Sequence, residues 1–121
     1  MTKPEALQNP RRLFVYGSLQ PGGTNAHVLE PLGGDWQPAQ VHGVLRQAGW
    51  GADMGYPGLV LDRSGEVVAG YVLSSEALAT AWSSLDAFEG DEYQRVLTLV
   101  MLQTGEVVEA YVYVIRSEDT V

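Results

Sequence analysis

The sequence has no cysteine and only two histidines, His27 and His42. The first absence excludes disulfides, thiolate metal sites and a cysteine nucleophile. The second leaves too few imidazoles, set too far apart, to suggest a metal cage, so no metal site is expected. His27 reads as a packing or capping residue of a short helix, and His42 as a structural or surface residue of a strand. Basic residues are scarce too: 7 lysines and arginines stand against 15 aspartates and glutamates, for a net charge of −8. That balance argues against a nucleic-acid partner or an anionic membrane surface, and an anionic substrate would need local donors. No apolar run approaches the length of a membrane span, and no internal repeat or low-complexity segment occurs. Residues 1–10 are polar and contain proline without an apolar centre, and so read as a loose N-terminal tail rather than a leader peptide. Residues 11–121 are expected to form a single domain, large enough to bury roughly two thirds of its extended surface, in a cytoplasmic protein.

What is present is patterned as strands, with one helix. Arg12-Leu13-Phe14-Val15-Tyr16 has the aromatic and β-branched composition of a buried strand, within a strand predicted at 11–17. It runs into Gly17-Ser18-Leu19-Gln20-Pro21-Gly22-Gly23, where Gly17 is expected to leave the sheet in a conformation other residues avoid. Such a loop can aim successive backbone N–H groups at an anion or a carbonyl oxygen. Further along, a loop and short helix are expected at 18–32 and strands near 39–48, 57–62 and 66–73. Arg63-Ser64-Gly65 reads as the turn of a hairpin. A second hairpin spans 93–102 and 106–115 through Gln103-Thr104-Gly105. Strands in hairpins with one main helix give an α+β domain. Periodicity leaves open whether the sheet closes. The glycine-rich stretch 49–56, with Met54 and Tyr56, could serve as a lid or be an ordinary loop. Trp36 and Trp50 could line a pocket mouth or be partly buried packing residues.

The helix, predicted over 75–89, carries one acid out of place. Ser74-Ser75-Glu76 supplies a hydroxyl cap and a first-turn acid, and Gly90 a C-terminal stop. Leu78, Trp82 and Leu85 make an apolar stripe. At about 100° per residue Glu89 falls only about 20° from Leu78, on the face that should point inward. Either Glu89 faces a cavity, where burial and the helix dipole raise its pKa, or the last turn frays and it reaches water. Asp86 lies about 60° further round, a poor fit for a pair of carboxylates working together. Asp91 and Glu92 read as solvated turn residues. Arg95 reads as structural, neutralising a nearby acid, and Tyr93 as a hydrogen-bond support for Glu89. Ser18 lacks the second glycine and the histidine of a nucleophile elbow, and the loop lacks the Gly-Lys-Ser/Thr ending of a nucleotide-binding loop.

Val15-Tyr16-Gly17-Ser18-Leu19, with Gly22, Asn25 and Leu29 after it, resembles the strand-loop signature of the γ-glutamylcyclotransferase-like family. Leu85-Asp86-Ala87-Phe88-Glu89 followed by Tyr93-Gln94-Arg95 resembles that family's second signature. Tyr56-Pro57-Gly58-Leu59-Val60 is similar to its proline-containing strand entry. The family includes γ-glutamylamine cyclotransferases and small bacterial members. The resemblance implies a small, curled, barrel-like mixed sheet with the active-site cavity at one end. It implies that Tyr16, Gly17, Ser18 and Leu19 bind substrate and that Glu89 moves protons.

The implied reaction suits this chain. A γ-glutamyl amide carries its own nucleophile, an α-amino group that can close on the γ-carbonyl, release an amine and leave 5-oxoproline. It needs a base that later serves as acid, donors for an oxyanion, and a folded substrate, but no metal or cofactor. Backbone N–H groups at 17–19 would hold either the substrate carboxylate or the oxyanion. The alternatives are a lyase removing a γ-glutamyl group from a biosynthetic intermediate, and a non-catalytic small-molecule-binding module on the same fold.

Overall fold

A computed structural model describes residues 11–17, 19–47, 57–90 and 93–115. The strands are β1 (Arg12–Val15), β2 (Asp35–Gln47), β3 (Pro57–Leu61), β4 (Glu66–Ser74), β5 (Tyr93–Leu102) and β6 (Val107–Ile115), and the helix α1 is Trp82–Glu89. They form one sheet in the order β3-β2-β4-β1-β6-β5, and a further β2–β5 pairing closes five of them into a barrel with β3 as an extra strand on β2. β1 runs parallel to β6 while the other pairings are antiparallel, so the sheet is mixed as well as curled. The closing join is short, with Ala39 opposite Leu102 and Gln40 opposite Met101. The Gln103 N–H extends it by one bond to the Pro38 carbonyl at 2.9 Å.

β1 explains why the sheet has two cores. Leu13, Phe14 and Val15 are all buried, the continuous apolar run of a strand covered on both faces. Phe14 points into the barrel with Val41, Leu59, Val72, Val100 and Val112. Leu13 and Val15 point outward, under a layer that includes Leu19, Leu29, Leu78 and Leu85. Gly70 of β4 lets β1 come this close, because a Cβ there would overlap the Val15 carbonyl oxygen and stand 2.9 Å from the Phe14 ring.

Two expectations are corrected. The helix is not continuous over 75–89: a tight 3-10 segment, Glu76–Thr80, precedes α1. Ser75 caps it as expected, accepting the Ala77 N–H at 3.2 Å while donating its hydroxyl to the Leu32 carbonyl at 3.0 Å. The Thr80 hydroxyl donates back to the Ala77 carbonyl at 3.3 Å, a local bond that favours the tighter turn over helix propagation. The second correction is that Arg63-Ser64-Gly65 joins no hairpin. β3 and β4 pair with β2 rather than with each other, β4 along Asp35–Gly43 and β3 along Gly43–Gln47. The link crosses β2 at Gly43, whose missing side chain leaves room for the Val60 carbonyl, and the missing side chain of Gly65 leaves room for the Gly43 backbone. The 93–115 hairpin forms as read, with Tyr93 opposite Ile115.

Candidate active site

α1 sets its acid by packing. Leu85 is buried, Trp82 packs against the outer core, and Glu89 ends the same face, about 20° from Trp82 and 40° from Leu85 around the helix. The stripe therefore survives the break before α1. Gly90, at φ 90°, stops the helix, and its N–H bonds the Asp86 carbonyl at 3.1 Å.

Glu89 opens into a cavity of about 260 Å³. The end of β1 and the loop beyond it, Val15, Tyr16, Gly17 and Leu19, line the same cavity. Phe14, Asn25, Phe88, Tyr93 and Tyr113 complete the lining. Four of the five residues singled out for a site therefore meet, while Ser18 lies outside the described residues. So do Trp50 and the rest of the 49–56 stretch, and Asp91 and Glu92. Trp36 packs edge-on against Tyr71, with ring centroids 6.4 Å apart, and does not line the cavity. His27 and His42 are exposed. Among the described residues no group of three or more His, Asp or Glu could hold a metal ion.

Burial pushes the Glu89 carboxyl up to about 7, so a base and its conjugate acid are both accessible near neutral pH. Burial is the cause of that direction. Tyr16 is built in differently. Its hydroxyl donates to the Tyr113 carbonyl at 2.7 Å and accepts the Leu59 N–H at 3.0 Å. Burial first, then the nearby Tyr93 and Glu89, hold its ionisation above the usual phenol range. Tyr16 thus offers its ring to the cavity while its hydroxyl braces β3 against β6. Gly17 does not have the backbone conformation expected of it. The positive-φ glycine of this loop is Gly22, at 84°, following Pro21 in a turn closed by the Gly23 N–H on the Gln20 carbonyl at 2.8 Å. The Gly17 carbonyl instead accepts from the Gln20 backbone N–H and side-chain amide, both at 3.1 Å.

Beside the cavity, Arg95 clamps Asp86 with Nε on Oδ1 at 2.9 Å and a terminal nitrogen on Oδ2 at 3.2 Å. This contact holds the Asp86 carboxyl below the usual range and supplies the acid that Arg95 was expected to neutralise. The guanidinium stacks on Trp82 at 4.6 Å and Tyr111 at 4.8 Å. Tyr113 donates its hydroxyl to Asp86 Oδ1 at 2.6 Å. Phe88 and Tyr113 were not legible as cavity residues. Phe88 sits on the exposed side of an amphipathic pattern, and Tyr113 has the surroundings of any aromatic in a core strand. Asn25 did carry a signal, its spacing after the loop.

A family model described as γ-glutamyl cyclotransferase, AIG2-like, matches residues 13–121. No curated protein sequence matches. Among solved structures, an AIG2-like protein of Mus musculus is 25% identical, with a TM-score of 0.66 over 91% of this chain and 80% of its own. An Arabidopsis thaliana protein solved in solution is 28% identical, with a TM-score of 0.65 over 95% of this chain and 65% of its own. A yeast γ-glutamyl cyclotransferase specific to glutathione shares the fold at 16% identity, with a TM-score of 0.58 over 85% of this chain and 67% of its own.

Proposed function

The chain belongs to the γ-glutamyl cyclotransferase, AIG2-like family, and from that premise we propose that it is a cytoplasmic enzyme converting a γ-glutamyl amide to 5-oxoproline and a free amine. One observation carries the proposal: Glu89, with its carboxyl pushed up to about 7, shares a cavity with the loop that follows β1. The cavity is close to the lower end of small-ligand pockets, about 300 Å³, which suits a γ-glutamyl group.

In the proposed reaction Glu89 takes a proton from the substrate's α-ammonium group. The freed nitrogen bonds to the γ-carbonyl carbon, and the carbonyl electrons move to oxygen. Backbone N–H groups of the loop at 17–19 stabilise that oxyanion or hold the substrate's carboxylate. Glu89 passes its proton to the leaving nitrogen and takes the second proton from the ring nitrogen. Collapse of the tetrahedral intermediate then breaks the bond to the leaving nitrogen. The amine departs, taking up that second proton as its ammonium, while the ring keeps one N–H. Protons and electrons balance with no cofactor or metal among the reactants.

The test is 5-oxoproline release from a panel of γ-glutamyl amides by the parent and by Glu89→Gln. Glutamine keeps the size of the side chain but cannot accept the ammonium proton, so activity should fall about 100- to 10,000-fold. A variant retaining more than about a tenth of the parent rate would show that Glu89 is not the base. Binding of a γ-glutamyl amide by the parent without any product would mark a non-catalytic binding module.

A further inference from the structure

Asp86 is the carboxylate through which the barrel holds α1, and it stands three positions before Glu89, on the adjoining turn of the helix. Its Oδ1 accepts from Arg95 of β5 at 2.9 Å and from Tyr113 of β6 at 2.6 Å. Neither partner is loose. Arg95 sits over the Trp82 and Tyr111 rings, which pack edge-on against each other at 5.1 Å. Tyr113 is buried, and its backbone carbonyl receives the Tyr16 hydroxyl. An unbroken series of bonds thus runs from the Leu59 N–H through Tyr16, Tyr113 and Asp86 to Arg95. The helix it reaches has only eight residues, too short to be stable alone, and Leu85 is its one buried side chain.

We infer that Asp86 is a positioning residue: bridged by Arg95 and Tyr113, it fixes the last turn of α1 and thereby where the Glu89 carboxyl stands in the cavity. This rests on the proposed role of Glu89 as base. The titratable side chains that line the cavity with Glu89 are those of Tyr16, Tyr93 and Tyr113, and Asp86 and Arg95 form a matched pair beside it. Burial is what raises the Glu89 carboxyl, so a turn that loosens into water lowers its titration midpoint. Tyr113→Phe separates this effect from a change in cavity polarity. Loss of a hydroxyl from the lining makes the surroundings more apolar and would raise the Glu89 midpoint. Loss of the grip on Asp86 lowers it.

The deciding experiment is a 13C NMR titration of the side-chain carboxyls in the full chain, with the Glu89 signal identified by its loss in Glu89→Gln. The expected midpoint is about 7 in the parent, lower by about half a unit or more in Tyr113→Phe and in Asp86→Asn. With an active parent, kcat should fall about 10- to 100-fold in both variants while KM changes less than about twofold. A Glu89 midpoint unchanged or raised in Tyr113→Phe overturns the inference, even if kcat or thermal stability falls. Tyr113→Phe decides alone should Asp86→Asn fail to fold, since it removes one oxygen and no charge. If no γ-glutamyl amide is turned over, the proposed reaction fails, and the titration still judges the positioning by itself.

Discussion

The hydroxyl of Tyr16 is bonded on both sides to backbone, giving its proton to the Tyr113 carbonyl at 2.7 Å and receiving the Leu59 N–H at 3.0 Å. The loop wall of the cavity is therefore anchored through the barrel's centre. Tyr16→Phe leaves a donor and an acceptor without their partner and should cost about 1 to 3 kcal/mol in equilibrium unfolding by urea. A variant as stable as the parent would show that the bracing is dispensable.

The pH dependence follows from Glu89. Its folded pKa of about 7 lies above the ordinary glutamate value, near 4.3 in an unfolded chain. The proton acceptor is the ionised form, so kcat/KM should rise with pH to a plateau, with its midpoint near 7. An acid limb centred near 4 would mean that the working Glu89 is solvated.

Stability should run the other way. A raised carboxyl favours the folded state in its protonated form. That contribution is complete below the unfolded pKa and is lost as pH rises through the folded one. Between about pH 4 and 8 the parent should lose on the order of 2 to 3 kcal/mol relative to Glu89→Gln. Parallel urea titrations of the two proteins across this range measure the difference, and a constant gap would contradict the burial of Glu89.

Selectivity for the leaving group follows from the charges of the wall. Among the described residues lining the cavity there is no lysine, arginine or histidine, and Arg95 is held beside it by Asp86. Among these residues a carboxylate on the leaving group has no cation to meet. Phe88, 45% exposed at the cavity, offers an apolar surface instead. Amides of simple amines should exceed γ-glutamyl amino acids by at least about tenfold in kcat/KM, a difference of about 1.4 kcal/mol. Equal rates would point to a cation outside the described residues.

The sequence carried the inward face of Glu89 because that face lies within α1, where Trp82 and Leu85 mark the direction independently of the segment before it. The break between Thr80 and Trp82 was hidden, since Glu76-Ala77-Leu78-Ala79 contains no helix breaker and the tight turn rests on a hydroxyl bond and tertiary packing. The supposed hairpin at Arg63-Ser64-Gly65 failed for a different reason. Turn residues report a reversal of the chain, not which strand lies beside it, and β2 is long enough to take β3 and β4 on successive stretches. The meeting of Tyr16 with Glu89 was legible only through the family signatures. No local pattern encodes the parallel pairing of β1 with β6 that brings the loop to the helix.

The Gly70 side of β1 tests how finely the two cores are fitted. Gly70→Ala adds a methyl where the Val15 carbonyl and the Phe14 ring already stand. It should cost about 2 kcal/mol or more by thermal or urea unfolding. No change would mean that β1 can shift without loss.

A ring is only as continuous as its shortest join. Here two joins have only two pairs each, Ala39–Leu102 with Gln40–Met101 between β2 and β5, and Leu13–Tyr111 with Phe14–Val112 between β1 and β6. The second is covered by the buried Leu13, Phe14 and Val112, whereas the first is open to water at the exposed Met101. Thermal breathing should begin at the β2–β5 seam, and amide exchange there should outpace exchange in β1 and β6. The cavity is hung from β1, β6 and α1. The wall can unbutton on one flank while the carboxyl and the loop that shares its cavity keep their distance.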